Sequence, residues 1–193
     1  MFYWMAKGFM WALLHAMYRF RVEGRGNLPD DGAFILCSNH IHSLDPATHT
    51  ILNKRRMRFM GKKELFAHWY GRLFFTMLGA FPVNRGATDI KAYRTTISVL
   101  EQGKPMLIFI QGTRMRAIDI KDAKGGAAVF ALKTRSPIIP AGISATYGLF
   151  STIRIRYGAP LNLERYYGQR IRSAMIDEVT EYIMEEVRKL CGG

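Results

Sequence analysis

The sequence predicts an α/β fold: a mostly parallel central sheet with helices on both faces, preceded by an amphipathic N-terminal helix. Three observations predict it. Short continuous apolar runs, such as residues 33–36 and 106–110, have the length of strands covered on both faces. They alternate with longer segments of helical period, which implies parallel strands joined by crossovers. Polar residues gather where the runs end, at the carboxyl edge at which open α/β sheets place their ligands.

The chain has 193 residues, enough for one domain with a core of its own, and no linker or repeat divides it. We set residues 1–22 apart as a membrane-associating helix and 23–193 as the remaining domain. Net charge is +13. The acidic side chains Asp177, Glu178, Glu181, Glu185 and Glu186 crowd the last helix, so the remainder is more basic still. Nucleic acid, an anionic membrane and a phosphorylated small molecule all answer such a balance. No recognised nucleic-acid motif is present, which argues against the first. Cys37 and Cys191 do not make a disulfide scaffold and read as reduced thiols in a cytosolic setting. The sequence lacks C-x-x-C and H-E-x-x-H, so no metal site is expected.

Residues 2–20 are crowded with aromatic and apolar side chains. Their longest run without a charge or histidine, residues 8–14, is far short of the ~20 residues a spanning helix needs. Drawn as a helix, Lys7, Gly8, His15 and Arg19 fall on one side, and Phe2, Met5, Phe9, Leu13, Ala16 and Phe20 on the other. Trp4, Trp11 and Tyr18 lie near the polar sector. That is the pattern of a helix lying in a membrane interface, and a peripheral or monotopic protein on the cytoplasmic face is expected. The competing reading is a terminal helix packed on the domain's own core.

In chain order, the turn-rich segment 24–32 leads to the strand at 33–36. A helix after Pro46, the basic run Lys54-Arg55-Arg56 and a strand at 57–60 follow. Residues 65–78 read as an aromatic-rich helix whose rings belong mostly to the core, some lining an acyl-chain groove. Residues 81–85 form a short strand ending in Arg85. Residues 89–102 are a helix with Ile90, Tyr93, Ile97 and Leu100 on one face and Gly103 as its stop. The strand at 106–110 runs into Gln111-Gly112-Thr113-Arg114, and a polar loop with Lys121 and Lys124 leads to a helix at 127–133. Strands at 138–143 and 153–157 precede a closing amphipathic helix at 171–190.

The chemistry centres on Asn39-His40 and Asp45. Asp45-Pro46 reads as a helix N-cap followed by proline at the first helical position. A carboxylate five residues after a histidine can hold the imidazole tautomer while the ring takes a proton. Alternatively, Asp45 only caps the helix and His40 makes one backbone bond. Arg85 and Arg114 each follow a predicted strand, and in a parallel sheet these ends converge on one edge, so two guanidinium forks suited to phosphate face the pair. Gly112 lets backbone approach closely. A base beside a phosphate clamp suggests activation of a hydroxyl on a phosphorylated substrate.

These blocks resemble the glycerolipid acyltransferase family. Asn39-His40 through Asp45 is similar to its N-H-x-x-x-x-D block, and residues 81–85 to its second block, which ends in arginine. Residues 109–114 resemble its F-P-E-G-T-R block and Ile139-Pro140-Ala141 its V-P-V-like strand. The resemblance spans residues 23–160, with four blocks in order. It implies that His40, held by Asp45, deprotonates the sn-2 hydroxyl of a lysophosphatidate-like acceptor. That hydroxyl then attacks the thioester of acyl-CoA or of an acidic acyl carrier protein, giving phosphatidic acid without any cofactor. Arg85, Arg114, Gly112 and Thr113 are then expected to bind the phosphate, with Asn39, Lys62, Gln111 and Lys124 in support. No serine or cysteine nucleophile is needed, and G-x-S-x-G is absent. Ile110 and Gln111 depart from the family's proline and glutamate. The rival readings are acyl transfer to glycerol-3-phosphate or another lyso-lipid, and a catalytically idle basic membrane-binding protein.

Overall fold

The computed structural model describes residues 2–84, 89–115 and 123–192. Arg85 and Lys121 lie outside the described residues. In order, the elements are α1 (Phe2–Met17), β1 (Arg19–Glu23), β2 (Ile35–Ser38), α2 (Asp45–Leu52), β3 (Arg58–Lys62), α3 (Trp69–Met77), β4 (Ala80–Val83) and α4 (Ile90–Glu101). There follow β5 (Met106–Phe109), α5 (Gly126–Thr134), β6 (Ile138–Ser144), β7 (Thr152–Tyr157) and α6 (Ser173–Leu190). The seven strands form one sheet in the order β1-β7-β6-β2-β5-β3-β4. Every neighbouring pair is parallel except β6–β7.

The apolar runs are continuous because both faces are covered. Leu36 of β2 and Phe34 just before it point to a core shared with Met10 and Leu14 of α1 and Ala47 and Ile51 of α2. Ile35 and Cys37 point to the other face, against Leu100 of α4, Phe130 of α5 and Val179, Ile183 and Val187 of α6. Burying each such side chain contributes about 1.5–3 kcal/mol, which fixes β2 at the centre of both cores. Burial also pushes the Cys37 thiol up to about 12, so it is an inert packing residue.

The N-terminus differs from expectation. The helix stops at Met17, and Arg19–Glu23 is an edge strand, so the 22/23 boundary falls inside β1. The alternation of exposed Arg19, Arg21 and Glu23 with half-buried Phe20 and Val22 is a strand's period. The helical pattern expected through Phe20 therefore gives way to a strand's alternation at Arg19. The helix α1 also packs on the domain, through Tyr3, Met10 and Leu14, and leaves Phe2, Trp4, Met5, Phe9 and Trp11 exposed.

A second difference concerns α3. None of its residues is buried, and Trp69, Tyr70, Leu73 and Phe74 are exposed, so most of these rings are not core. The helix packs beside α1. Two neighbouring helices therefore carry unburied aromatic side chains.

Candidate active site

β2 runs between β5 and β6, so the residues that leave its carboxyl end emerge at the middle of the sheet. Asn39 is the first of them. Its amide donates to the Ile143 carbonyl (2.9 Å) and accepts from the Ile143 amide (2.8 Å), continuing the β2–β6 ladder with a side chain. It is buried and positions the turn from beneath. The His40 carbonyl accepts from Met115 N–H (2.8 Å), and the ring stacks on Phe109, the last residue of β5 (centroids 4.0 Å apart, planes at 17°). Backbone and ring are thus both fixed before any substrate arrives.

His40 Nδ1 lies 2.7 Å from Asp45 Oδ2. A carboxylate can only accept, so Nδ1 donates this bond, and in a neutral ring so held the lone pair is on Nε2. Asp45 is not the N-cap that the sequence suggested. It is the first residue of α2, Pro46 is the second, and Leu44 occupies the cap position without a side-chain bond. The Asp45 carboxylate instead reaches back to accept from the amides of Ile41 and His42, each at 2.7 Å. Its other oxygen accepts from the Tyr147 hydroxyl at 2.5 Å. Burial works to raise the Asp45 carboxyl. The bonds from His40, His42, Tyr147 and Ile41 outweigh it and hold the group below the ordinary aspartate value. The carboxylate therefore stays ionised and faces His40.

His40, Ser43, Lys62 and Arg114 line one cavity of about 370 Å³. Its remaining wall is apolar and includes Met10 of α1, Phe59, Leu65, and Phe74, Phe75 and Leu78 from α3 and its end. A few convergent polar groups in an apolar recess are the usual form of a small-molecule site. Gln111, Gly112, Thr113 and Lys124 line a neighbouring cavity of about 540 Å³, with Met60 bordering both. The residues expected as one phosphate site are thus divided. His40, Asp45, Lys62 and Arg114 belong together, and the rest of the Gln111–Thr113 turn opens on the other side. Gly112 sits at φ 68°, the left-handed conformation that glycine adopts without strain. Among the described residues no group of His, Cys, Asp and Glu could hold a metal.

Two further residues belong to the site and were not foreseen. Tyr147 lies 102 residues from Asp45, and nothing in its sequence surroundings announces it. His49 is fully buried, with Nε2 3.0 Å from Ser38 Oγ, and burial pushes it down to about 4, so it is neutral. Its spacing of four from Asp45 puts it on the same helical face, a signal that could have found it.

The chain is similar to proteins of known activity. It is 28% identical over 177 residues to the 1-acyl-sn-glycerol-3-phosphate acyltransferase of Bacillus subtilis, covering 88% of this chain and 87% of that one. It is 29% identical to the enzyme of the same name from Streptococcus pneumoniae, covering 83% of this chain and 61% of its relative. The fold matches the crystal structure of the 1-acyl-sn-glycerophosphate (LPA) acyltransferase PlsC from Thermotoga maritima. That match has a TM-score of 0.67 at 22% identity and covers 96% of this chain and 79% of that one. The acyltransferase family model matches residues 19–144, from the first residue of β1 to the last of β6, which takes in His40, Asp45 and Arg114. The match spans more than half of the chain and every strand that borders the site, so this protein belongs to the acyltransferase family.

Proposed function

We propose that this enzyme moves a fatty acyl group from an acyl thioester to the sn-2 hydroxyl of a 1-acylglycerol-3-phosphate-like acceptor, giving phosphatidic acid. The observation that carries the reading is a His–Asp pair whose histidine lines a cavity that joins two cations to an apolar wall. The names of the relatives agree with it.

In the proposed reaction His40 Nε2 takes the proton of the acceptor hydroxyl as its oxygen attacks the thioester carbonyl. Asp45 stabilises the imidazolium that forms. When the tetrahedral intermediate collapses, the C–S bond breaks and the leaving thiolate recovers the proton from His40. Arg114 and Lys62 hold the phosphate, and acyl chains lie along Phe74, Phe75 and Leu78. Arg85 is retained as a third phosphate ligand from the motif alone. The donor is acyl-CoA or an acidic acyl carrier protein, and no cofactor takes part. The enzyme works at the cytoplasmic face of an anionic membrane, attached by the exposed aromatic side chains of α1 and α3. No described helix is long and apolar enough to cross a membrane. Contiguous exposed apolar surface on two helices is the support for attachment.

Gln111 favours one other reading, an idle membrane-binding protein, because the family's block carries glutamate there. An acyl-transfer assay with lysophosphatidate, glycerol-3-phosphate and a neutral lyso-lipid, each with both donor types, separates these. Lysophosphatidate is expected to turn over fastest, and His40→Ala to lose about 10²–10⁴ in rate while unfolding at the wild-type denaturant midpoint. A well-folded His40→Ala protein retaining more than about a tenth of the turnover would refute the mechanism.

A further inference from the structure

We infer that Tyr147 is a positioning residue for the transfer reaction: its hydroxyl holds the second oxygen of Asp45, and so sets how that carboxylate meets His40. The inference rests on the base role given to His40. Asp45 Oδ2 is saturated by His40, Ile41 and His42, which leaves Oδ1 as the only oxygen through which the carboxylate could swing away. The Tyr147 hydroxyl closes it at 2.5 Å. The donor arrives from the loop after β6, an element that shares no sequence neighbourhood with the His–Asp turn.

The loop is built to deliver that hydroxyl. Tyr147 sits at φ 55° in the left-handed region, which a residue bearing a Cβ and an aromatic ring adopts only when its surroundings impose it. Three contacts impose it. The ring stacks on His42 (centroids 4.1 Å apart, planes at 23°), so the tyrosine grips the same turn from two sides. The Tyr18 ring meets it edge-on at 5.7 Å. Three residues on, Phe150 N–H donates to the Met17 carbonyl (2.7 Å), tying the loop to the end of α1. Backbone strain aimed at a buried carboxylate is what a functional constraint leaves behind. Burial and the Asp45 charge keep the phenol protonated well above its ordinary range, so it acts as a donor throughout the working pH.

Tyr147→Phe removes the hydroxyl and keeps the ring, its stack and the loop. A bond to a charged group justifies an expected fall in kcat of about ten- to a hundredfold. The acceptor KM should move less than about twofold, because the phenol does not line the substrate cavity. In an Asp45→Asn background the same substitution should change the rate less than about twofold, since the charge it holds is gone. The low-field proton resonance of His40 Nδ1 should move further downfield in Tyr147→Phe, as a carboxylate that has lost one donor binds its remaining donors, His40 among them, more tightly. That shift is read without turnover. If the wild type transfers no acyl group, the functional reading fails while the resonance still tests Tyr147. A kcat within about twofold of wild type, an equal loss in both backgrounds, or an unmoved resonance would each overturn the inference.

Discussion

His49 ties the stability of the site to pH, and the size of the effect follows from its burial. The side chain is fully enclosed beneath the His40–Asp45 turn, and Ser38 Oγ meets its Nε2. Burial pushes it from 6.5 down to about 4, with the nearby Asp45 charge opposing and His40 adding to the shift. Between those values the unfolded chain binds a proton that the folded chain refuses, so stability rises with pH across that window. The contribution is complete above about pH 6.5 and is lost as the pH falls toward 4. At 1.36 kcal/mol per unit this comes to about 3 kcal/mol, a large fraction of the stability of a single domain. Below pH 4 the loss stops, and the Asp45 carboxyl, held under its ordinary value, begins to contribute instead. Urea unfolding of wild type and His49→Gln at pH 7.5, 5.5 and 4.5 measures it. Glutamine keeps a polar partner for Ser38 and cannot titrate in this range. Whatever its cost at pH 7.5, the variant should lose about 2.5 kcal/mol less than wild type by pH 4.5, a difference of roughly 1–2.5 M in midpoint for a urea slope of about 1–3 kcal/mol/M. Parallel pH dependences would show that protonation of His49 does not drive acid unfolding.

Three further outcomes are expected. Arg114→Lys keeps the charge but loses the planar two-point contact, so the acceptor KM should rise about tenfold while the donor's stays within about twofold. Equal changes in both constants would remove Arg114 from the phosphate contact. Replacing exposed Trp4, Phe9 and Trp69 together by serine should abolish sedimentation with vesicles containing acidic lipids, because each ring contributes about 1.5–3 kcal/mol of burial in the interface. Undiminished sedimentation would hand attachment to the basic run Lys54-Arg55-Arg56. Gln111→Glu should change kcat by less than about tenfold, under about 1.4 kcal/mol. A gain of about a hundredfold, measured beside the wild type, would support the idle-protein reading.

The centre of the fold was legible in the sequence because burial on both faces leaves continuous apolar runs. β2 and β5 lie where those runs predict, and His40 with Asp45 stands at the end of the first. Edges and loops were harder to read. β1 was hidden because the two-sided helical pattern of the residues before it runs on through Phe20, and its own alternation lasts only five residues. Asp45 was mistaken for a cap because the Asp-Pro pattern fits that role locally, while its actual partners depend on how the turn folds back. Tyr147 was invisible because an interaction across 102 residues leaves no periodic mark. The rings of α3 were assigned to the core on hydrophobicity alone, which cannot distinguish burial in the core from exposure at the surface.

Position rather than charge explains how a glutamine can serve at 111. The residue is almost wholly buried, and a carboxylate there would have to be paired or be driven toward its neutral form. Its amide Nε2 lies 3.4 Å from Met115 Sδ, and Met115 N–H is the donor that fixes the His40 carbonyl. Lys124 N–H closes the other side of the turn on the Ile110 carbonyl. The turn after β5 thus holds the His40 backbone through one residue and carries Arg114 one position before it. A side chain that keeps this turn in place supports both, whether or not it is charged. An amide does so without placing a buried negative charge in the turn that carries Arg114, beside Lys124 on the wall of the same cavity as residue 111.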